Sequence, residues 1–313
     1  MPTLSLAMIV RNEADRIANV LEEASICCDE LVVLDTGSTD ATVEIAEEYG
    51  AEVATTAWRD DFAWARNLSF EFCTSDWILW LDADDHLPTE AAMAINSMLS
   101  RSAVMSANII DAVSCEYRMI GALGEVTLCF DRERLIRREA GLRWEGRVHE
   151  TIAVAYGRSV RNKTVWVEHR PNGKPSDPRR NLRIMSSMLD DGDESPRTLF
   201  YIANEYRDLG DLDMARTMYR ERLGCTDGWK PETAQAAYEL GKLLMGVDNN
   251  EAQHWLEEAV ELTNWERAEP MRQLQHLHLA SGRSATARHY AKMADALRPP
   301  PGGLFIESWA YSQ

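Results

Sequence analysis

The sequence predicts two architectures in one chain: a doubly wound α/β unit, then an all-α unit of stacked helix pairs. Three observations carry that expectation. Apolar, β-rich runs alternate with helically periodic stretches through the first part of the chain, the pattern of strand–helix–strand crossovers and a parallel sheet. The stretch from Pro171 to Pro178 crowds prolines and a glycine together, so regular structure cannot continue through it. Beyond it, small and aromatic residues recur at a period of about 34 to 37, as in arrays of paired helices.

Taken in order, Thr3 to Val10 (TLSLAMIV) is a strand that ends at Arg11-Asn12-Glu13. Ala14 to Ala24 then places Ile17, Val20, Leu21 and Ala24 at helical spacing. Leu31 to Asp35 is a second strand, and Ser38, Thr39 and Asp40 offer N-caps for a helix from Ala41 to Tyr49 that Gly50 closes. Glu52 to Thr55 reads as a third strand and Phe62 to Cys73 as a helix carrying Arg66 and Asn67. The run from Trp77 to Asp85, WILWLDADD, is apolar until it meets its carboxylates, as expected of a central strand buried on both faces.

That run also carries the chemistry. Carboxylates at the C-terminal end of a strand lie where open α/β sheets bind ligands. Asp82 and Asp84, one residue apart, can offer oxygens to one hard divalent cation, which can in turn bridge the phosphates of a nucleotide. Asp35 ends a second strand in the same way and leads into the turn-rich Thr36-Gly37-Ser38-Thr39-Asp40. No G-x-G-x-x-G follows the first strand, so a dinucleotide fold lacks its main support. No glycine falls between Val10 and Asp15, which disfavours nucleotidyl transfer through a phosphate loop.

The runs SLAMIVRNEADRI, ELVVLDTGSTDAT, AWARN and DWILWLDADD resemble the nucleotide-binding half of the family 2 inverting glycosyltransferases of GT-A fold. They resemble in particular the lipopolysaccharide-core-like branch, whose chains continue into tetratricopeptide repeats. The resemblance covers roughly residues 3 to 170. It implies a UDP-sugar donor and a Mn²⁺ or Mg²⁺ ion. It implies too that Val10, Arg11, Asn12 and Glu13 line the nucleoside pocket, that Asp35 accepts from the uracil, and that Arg66 approaches the base or diphosphate. Asp82, Ala83 and Asp84 become the DxD motif.

Strand-like stretches follow at Ser114 to Ile120, Glu125 to Phe130 and Thr164 to Glu168. Trp144-Glu145-Gly146-Arg147-Val148-His149-Glu150 resembles the W-x-G-x-V-H-E run of the same branch. Inverting transfer needs a group to take the acceptor proton and positive charge against the departing diphosphate. Glu150 is the first choice of base, with Asp85 and Glu145 as the alternatives. His149 or His169 can add a nitrogen ligand to the metal. His169 is preferred because it ends a strand-like stretch.

Composition bounds these readings. With 313 residues the chain suits two domains, and 45% hydrophobic content with 10 Trp supplies two cores. We place a GT-A unit at residues 1–175, a linker or connecting helix at 176–195, repeats at 196–300 and a capping segment at 301–313. The repeat landmarks are Ala203, Tyr206, Gly210, Ala215 and Tyr219, then Gly241, Leu244, Ala252, Leu256 and Ala259, then Gly282, Ala287, Ala291, Ala294 and Pro299. No run reaches the roughly 18 apolar residues of a membrane helix and no signal-peptide pattern follows Met1, so a cytoplasmic protein is expected. The six cysteines form no CxxC pair and read as buried thiols.

The net charge of −18 argues against nucleic-acid binding by the whole surface. It is unevenly distributed: from Arg132 to Arg183 there are 14 Lys and Arg against 6 acids, a surplus of +8 that leaves −26 elsewhere. An anionic acceptor is therefore expected, a glycan, a lipid-linked glycan or a hydroxylated base in DNA, with a peptide side chain as the alternative. The competing expectation is an interaction scaffold, in which the repeats bind a protein partner or a second copy and the first unit lacks transferase activity.

Overall fold

The computed structural model describes residues 2–101, 109–170, 177–300 and 305–311, and the chain divides into two compact units, 1–175 and 176–313.

In the first unit β1 (Leu4–Val10) is an interior strand of the sheet. β2 (Glu30–Asp35), β3 (Glu52–Thr55) and β4 (Trp77–Trp80) join it in the order β3-β2-β1-β4, all parallel. Helices α1 (Ile17–Ala24), α2 (Thr42–Glu48) and α3 (Phe62–Phe72) make the crossovers. α1 buries Ile17, Val20, Leu21 and Ala24, the four positions spaced for it in the sequence. α3 starts where the Asp61 side chain accepts from the Trp64 N–H at 2.7 Å, an N-cap. Leu4, Leu6 and Met8 pack on one face with α1, whereas Ala7, Val32, Ile78 and Trp80 pack on the other with residues of α3. The sheet is thus covered on both sides, which is why its strands read as continuous apolar runs.

Beyond β4 the sheet is mixed, which corrects the wholly parallel expectation. β5 (Asp85–His86), α4 (Thr89–Arg101), β6 (Ala112–Ile120), β7 (Val126–Arg137), β8 (Trp144–Glu145), β9 (Thr151–Ile152) and β10 (Ser159–His169) complete the unit. The full order is β3-β2-β1-β4-β7-β6-β10-β5, with β7 antiparallel to β4 and β6, and β5 antiparallel to β10. The physical reason is the short connection between β6 and β7, closed by Gly121 N–H to Glu125 O at 2.8 Å with Gly124 at φ 84°; so short a turn joins only antiparallel neighbours. Nor is WILWLDADD one strand. A turn at Asp82–Asp85 ends β4 at Trp80, and the chain resumes as β5 at the far edge of the sheet.

The second unit is helical: α5 (Arg180–Asp190), α6 (Pro196–Asp208), α7 (Leu212–Gly224), α8 (Lys230–Leu244), α9 (Asn249–Leu262), α10 (Ala268–Ala280), α11 (Ser284–Asp295) and a 3₁₀ turn at Ser308–Tyr311. α6/α7, α8/α9 and α10/α11 pack as successive antiparallel pairs, a tetratricopeptide-like array. Ala203, Ala215, Tyr219, Ala252, Leu256, Ala259, Ala287 and Ala294 lie buried among them. Not every small landmark serves packing. At Gly241 a Cβ would come within 2.7 Å of Leu256, so glycine permits the α8/α9 approach, but Gly210 and Gly282 have φ of 82° and 71° in the turns between helices. The boundary expected at Pro171 to Pro178 falls largely outside the described residues, as do 301–304 and 312–313 of the expected cap.

Candidate active site

The site forms where the ends of β1, β2 and β4 meet residues from α3 and the loop after β8. At the ends of β1 and β2, the chain leaves β1 through Asn12 at φ 57°, a left-handed position that asparagine tolerates. The Asn12 N–H donates to Ser38 Oγ at 2.8 Å and its side chain accepts from the Thr39 N–H at 2.7 Å. The Glu13 N–H donates to Thr42 Oγ1 at 2.7 Å. Asp35 is buried at the end of β2 and accepts from the Gly37 and Ser38 N–H groups at 3.0 and 3.1 Å. Val10 to Glu13 and Asp35 to Thr39 therefore form one rim, with Arg11 exposed on it. Asp35 shapes its own loop, and its remaining lone pairs are what it can offer a base.

At the acidic turn the three aspartates separate. Asp82 is engaged by Arg66, whose Nη2 donates to Asp82 Oδ1 at 2.8 Å. Asp84, Asp85 and His169 instead converge, each with a ligand atom within 4.8 Å of the others. The DxD pair is thus divided between two partners. His169 arrives through the antiparallel register that sets it opposite Asp85. Its Nδ1 stands 3.5 Å from Asp84 and 3.7 Å from Asp85, and Asp84 first, then Asp85, push the imidazole up to about 9. His149, at φ 53° between Val148 and Glu150, is outside that cluster.

Asp85 is fully buried. It accepts from Arg134 Nη1 at 2.9 Å, Tyr117 Oη at 2.8 Å and the Asp82 N–H at 3.0 Å. Burial alone would raise its pKa, but the Arg134 charge overrides burial and, with the hydrogen bonds, holds the carboxyl down at about 2. Arg134 is itself sandwiched between the Trp80 and Tyr117 rings, 3.9 and 4.4 Å from their centroids.

Arg66 joins the two halves of the site. Its Nε donates to Glu150 Oε1 at 2.7 Å while Nη2 holds Asp82, and its guanidinium stacks over Trp80 and Trp144 at 4.8 and 5.1 Å. Burial opposes the charge on Arg66, and Asp82 and Glu150 more than offset it. Burial likewise raises the Glu150 pKa, yet Arg66 brings it below the usual carboxylate range, so Glu150 is ionised at neutral pH. Asn67 pins the loop that carries Glu150: its amide donates to Trp144 O at 3.0 Å and accepts from the Trp144 N–H at 2.9 Å. Glu145 is exposed and its side chain makes no hydrogen bond or ion pair among the described residues.

Tyr117, Arg132, Arg134 and the aromatic pair Trp80–Trp144 escaped the sequence reading as site residues. They come from strands far apart in sequence, and the usable signal was the alternation Arg132-x-Arg134, which puts both cations on one face of a strand.

Carboxylates at a strand end of a mixed α/β sheet stand where open α/β sheets bind their ligands. Residues 5–144, most of the first unit, match the family model described as Glycosyl transferase family 2. Over 152 residues the chain is 38% identical to a TPR repeat-containing protein of Synechococcus elongatus, covering 49% of this chain and 36% of that one. Over 215 residues it is 31% identical to the SPbeta prophage-derived glycosyltransferase SunS of Bacillus subtilis, covering 65% and 49%. The chain thus spans half or less of the length of these curated relatives. Among solved structures, it is similar to S. aureus TarS residues 1–349 in complex with UDP-GlcNAc, at a TM-score of 0.43 and 14% identity over 97% of this chain and 96% of that one. It is also similar to Mycobacterium tuberculosis glucosyl-3-phosphoglycerate synthase with Mn²⁺ and UDP, at 0.42 and 19% over 62% and 81%.

Proposed function

We propose that this chain moves a sugar from a nucleoside diphosphate donor, a UDP-sugar, to a nucleophilic acceptor with inversion at the anomeric carbon. The observation that carries the reading is the Arg66 bridge, which ties an ionised, buried Glu150 to Asp82 at the end of the central strand. Glu150 takes the proton from the acceptor as its oxygen attacks the anomeric carbon, and the bond to the diphosphate breaks on the opposite face. Arg66, next to Asp82, supplies fixed positive charge on the donor side. Asp82 and the Val10 to Glu13 and Asp35 rim hold the nucleoside. Asp85 is assigned a structural role, because its side chain is fully buried and both its oxygens are already engaged, by Tyr117 on one side and by Arg134 and the Asp82 N–H on the other.

The Asp84, Asp85 and His169 group fits a divalent cation by its chemistry, two carboxylates and an imidazole, which favours Mn²⁺ over Mg²⁺. Asp84 and His169 would hold it, with Asp85 adding charge behind them. Bound there, a cation counters the charge of the departing diphosphate.

The anionic acceptor enters the proposal in a narrower form. Much of the basic surplus is neutralised within the fold: Arg134 pairs with Asp85, Arg158 with Asp111, Arg161 with Asp131 and Arg143 with Glu71. The Arg132 guanidinium stacks over Trp80 at 4.7 Å and makes no hydrogen bond or ion pair among the described residues. That suits one phosphate or carboxylate beside the reacting hydroxyl better than a polyanion.

The test is Glu150→Gln, which keeps shape and removes basicity. Turnover of the UDP-sugar should fall ~10²-fold or more with donor affinity nearly unchanged. Near-normal turnover, or an equal loss of donor affinity, would refute the assignment.

A further inference from the structure

In the second unit, the segment Phe305–Tyr311 lies against α6, α8 and α10, and the way it is held differs from an ordinary cap. A capping element covers a helical stack with an apolar stripe. Here the main chain itself is gripped at three points. Phe305 O accepts from the Arg267 guanidinium, the Glu307 N–H donates to Glu269 Oε1 at 2.9 Å, and Ala310 O accepts from Arg272 Nε at 3.0 Å. Backbone contacts of this kind do not depend on which residue supplies the amide.

Side chains then fix the register. The Phe305 ring meets Phe200 edge-on at 5.7 Å, the Glu307 carboxylate accepts from Tyr238 Oη at 2.9 Å and Lys242 Nζ at 3.0 Å, and Tyr311 Oη donates to Glu269 Oε2 at 2.9 Å. Glu269 is fully buried and paired with Arg267, so the receiving surface keeps its charge balance when the segment leaves. Main-chain grip plus spaced side-chain pockets is how proteins read extended peptides. In the sequence, Pro299-Pro300-Pro301-Gly302-Gly303 precedes the segment, a composition suited to a tether rather than to a helix.

We propose that the surface formed by α6, α8 and α10 is a peptide-recognition site that the chain's own residues 305–311 occupy in cis. Its partner is a protein segment with an acidic side chain two residues after one aromatic and four before another. Because it belongs to the same chain, the built-in segment acts at an effective concentration on the order of mM, so it masks the site against weak ligands and yields to a partner that binds more tightly.

The probe is a fluorescent peptide with the sequence of residues 304–313, titrated by anisotropy into the full chain and into a chain truncated after residue 303. The truncated chain should bind it at least ~10-fold more tightly than the full chain, and the same peptide carrying Glu307→Arg should not bind. A truncated chain that keeps its helical circular dichroism yet takes up no peptide overturns the proposal, as does equal binding by both chains. If truncation unfolds the repeats, full-length Glu307→Arg replaces it, because it retains the segment but repels Lys242. That variant should admit the wild-type peptide, and its failure to do so overturns the proposal equally. Concentration-dependent dimerisation of the full chain, abolished by truncation, would show exchange between copies and refute occupancy in cis.

Discussion

Replacing Arg66 with Gln removes the cation on which two carboxylates depend. Glu150 is 8% exposed and meets Arg66 Nε at 2.7 Å, while Asp82 meets Nη2 at 2.8 Å. Glutamine cannot reach both, and it leaves a buried charge without its main partner, a change that costs about 3–5 kcal/mol. The pH dependence should change sign as well. In the native chain Glu150 titrates below its unfolded value, so its contribution to stability is present above the unfolded pKa and lost as pH falls through the folded one. Without Arg66 the burial effect dominates and the folded pKa rises. The variant should then gain stability as pH falls from neutrality towards the unfolded value of about 4.3. Urea unfolding at pH 7.5 and pH 5, with hydrogen exchange of β4 and α3 peptides reporting on the first unit alone, measures both effects. Adding Glu150→Gln should recover part of the loss, since it removes the stranded charge. A loss under about 1 kcal/mol with unchanged pH dependence, or no recovery in the double variant, would refute the bridge as the organising contact.

Asp85→Asn should destabilise the first unit by about 3–5 kcal/mol by stranding the fully buried Arg134, with the catalytic effect following from lost structure; a stable variant without turnover would restore Asp85 as a candidate base. His169 titrates near 9 without a cation, so protons compete with Mn²⁺ there: affinity, read by electron paramagnetic resonance, should rise up to tenfold per pH unit from about pH 6.5 to 9 and lose that slope in His169→Ala. Asn67→Ala should lower stability by about 2–4 kcal/mol, because both backbone groups of Trp144 lose partners, and turnover should fall with it; a denaturation midpoint equal to the native one would show that the loop holds itself.

What the sequence determined by itself was local. Helical spacing at Ile17, Val20, Leu21 and Ala24, apolar runs ending in Asp35 and Asp82, and recurring small residues after residue 196 each reflect a period or a strand end, which neighbouring residues encode directly. They placed the first four strands, the helical second unit and the carboxylates Asp35 and Asp82 at two strand ends. Tertiary structure alone decided which carboxylate meets which cation. Asp82, Asp84 and Asp85 are near-identical in sequence context, yet the turn after β4 sends one to Arg66, one towards His169 and one into a fully buried pair with Arg134. Those partners lie 16, 85 and 49 positions away, brought in by α3, by the antiparallel β10/β5 register and by β7. Such pairings depend on sheet order, and sheet order follows from which strands find each other across the whole unit rather than from any local pattern.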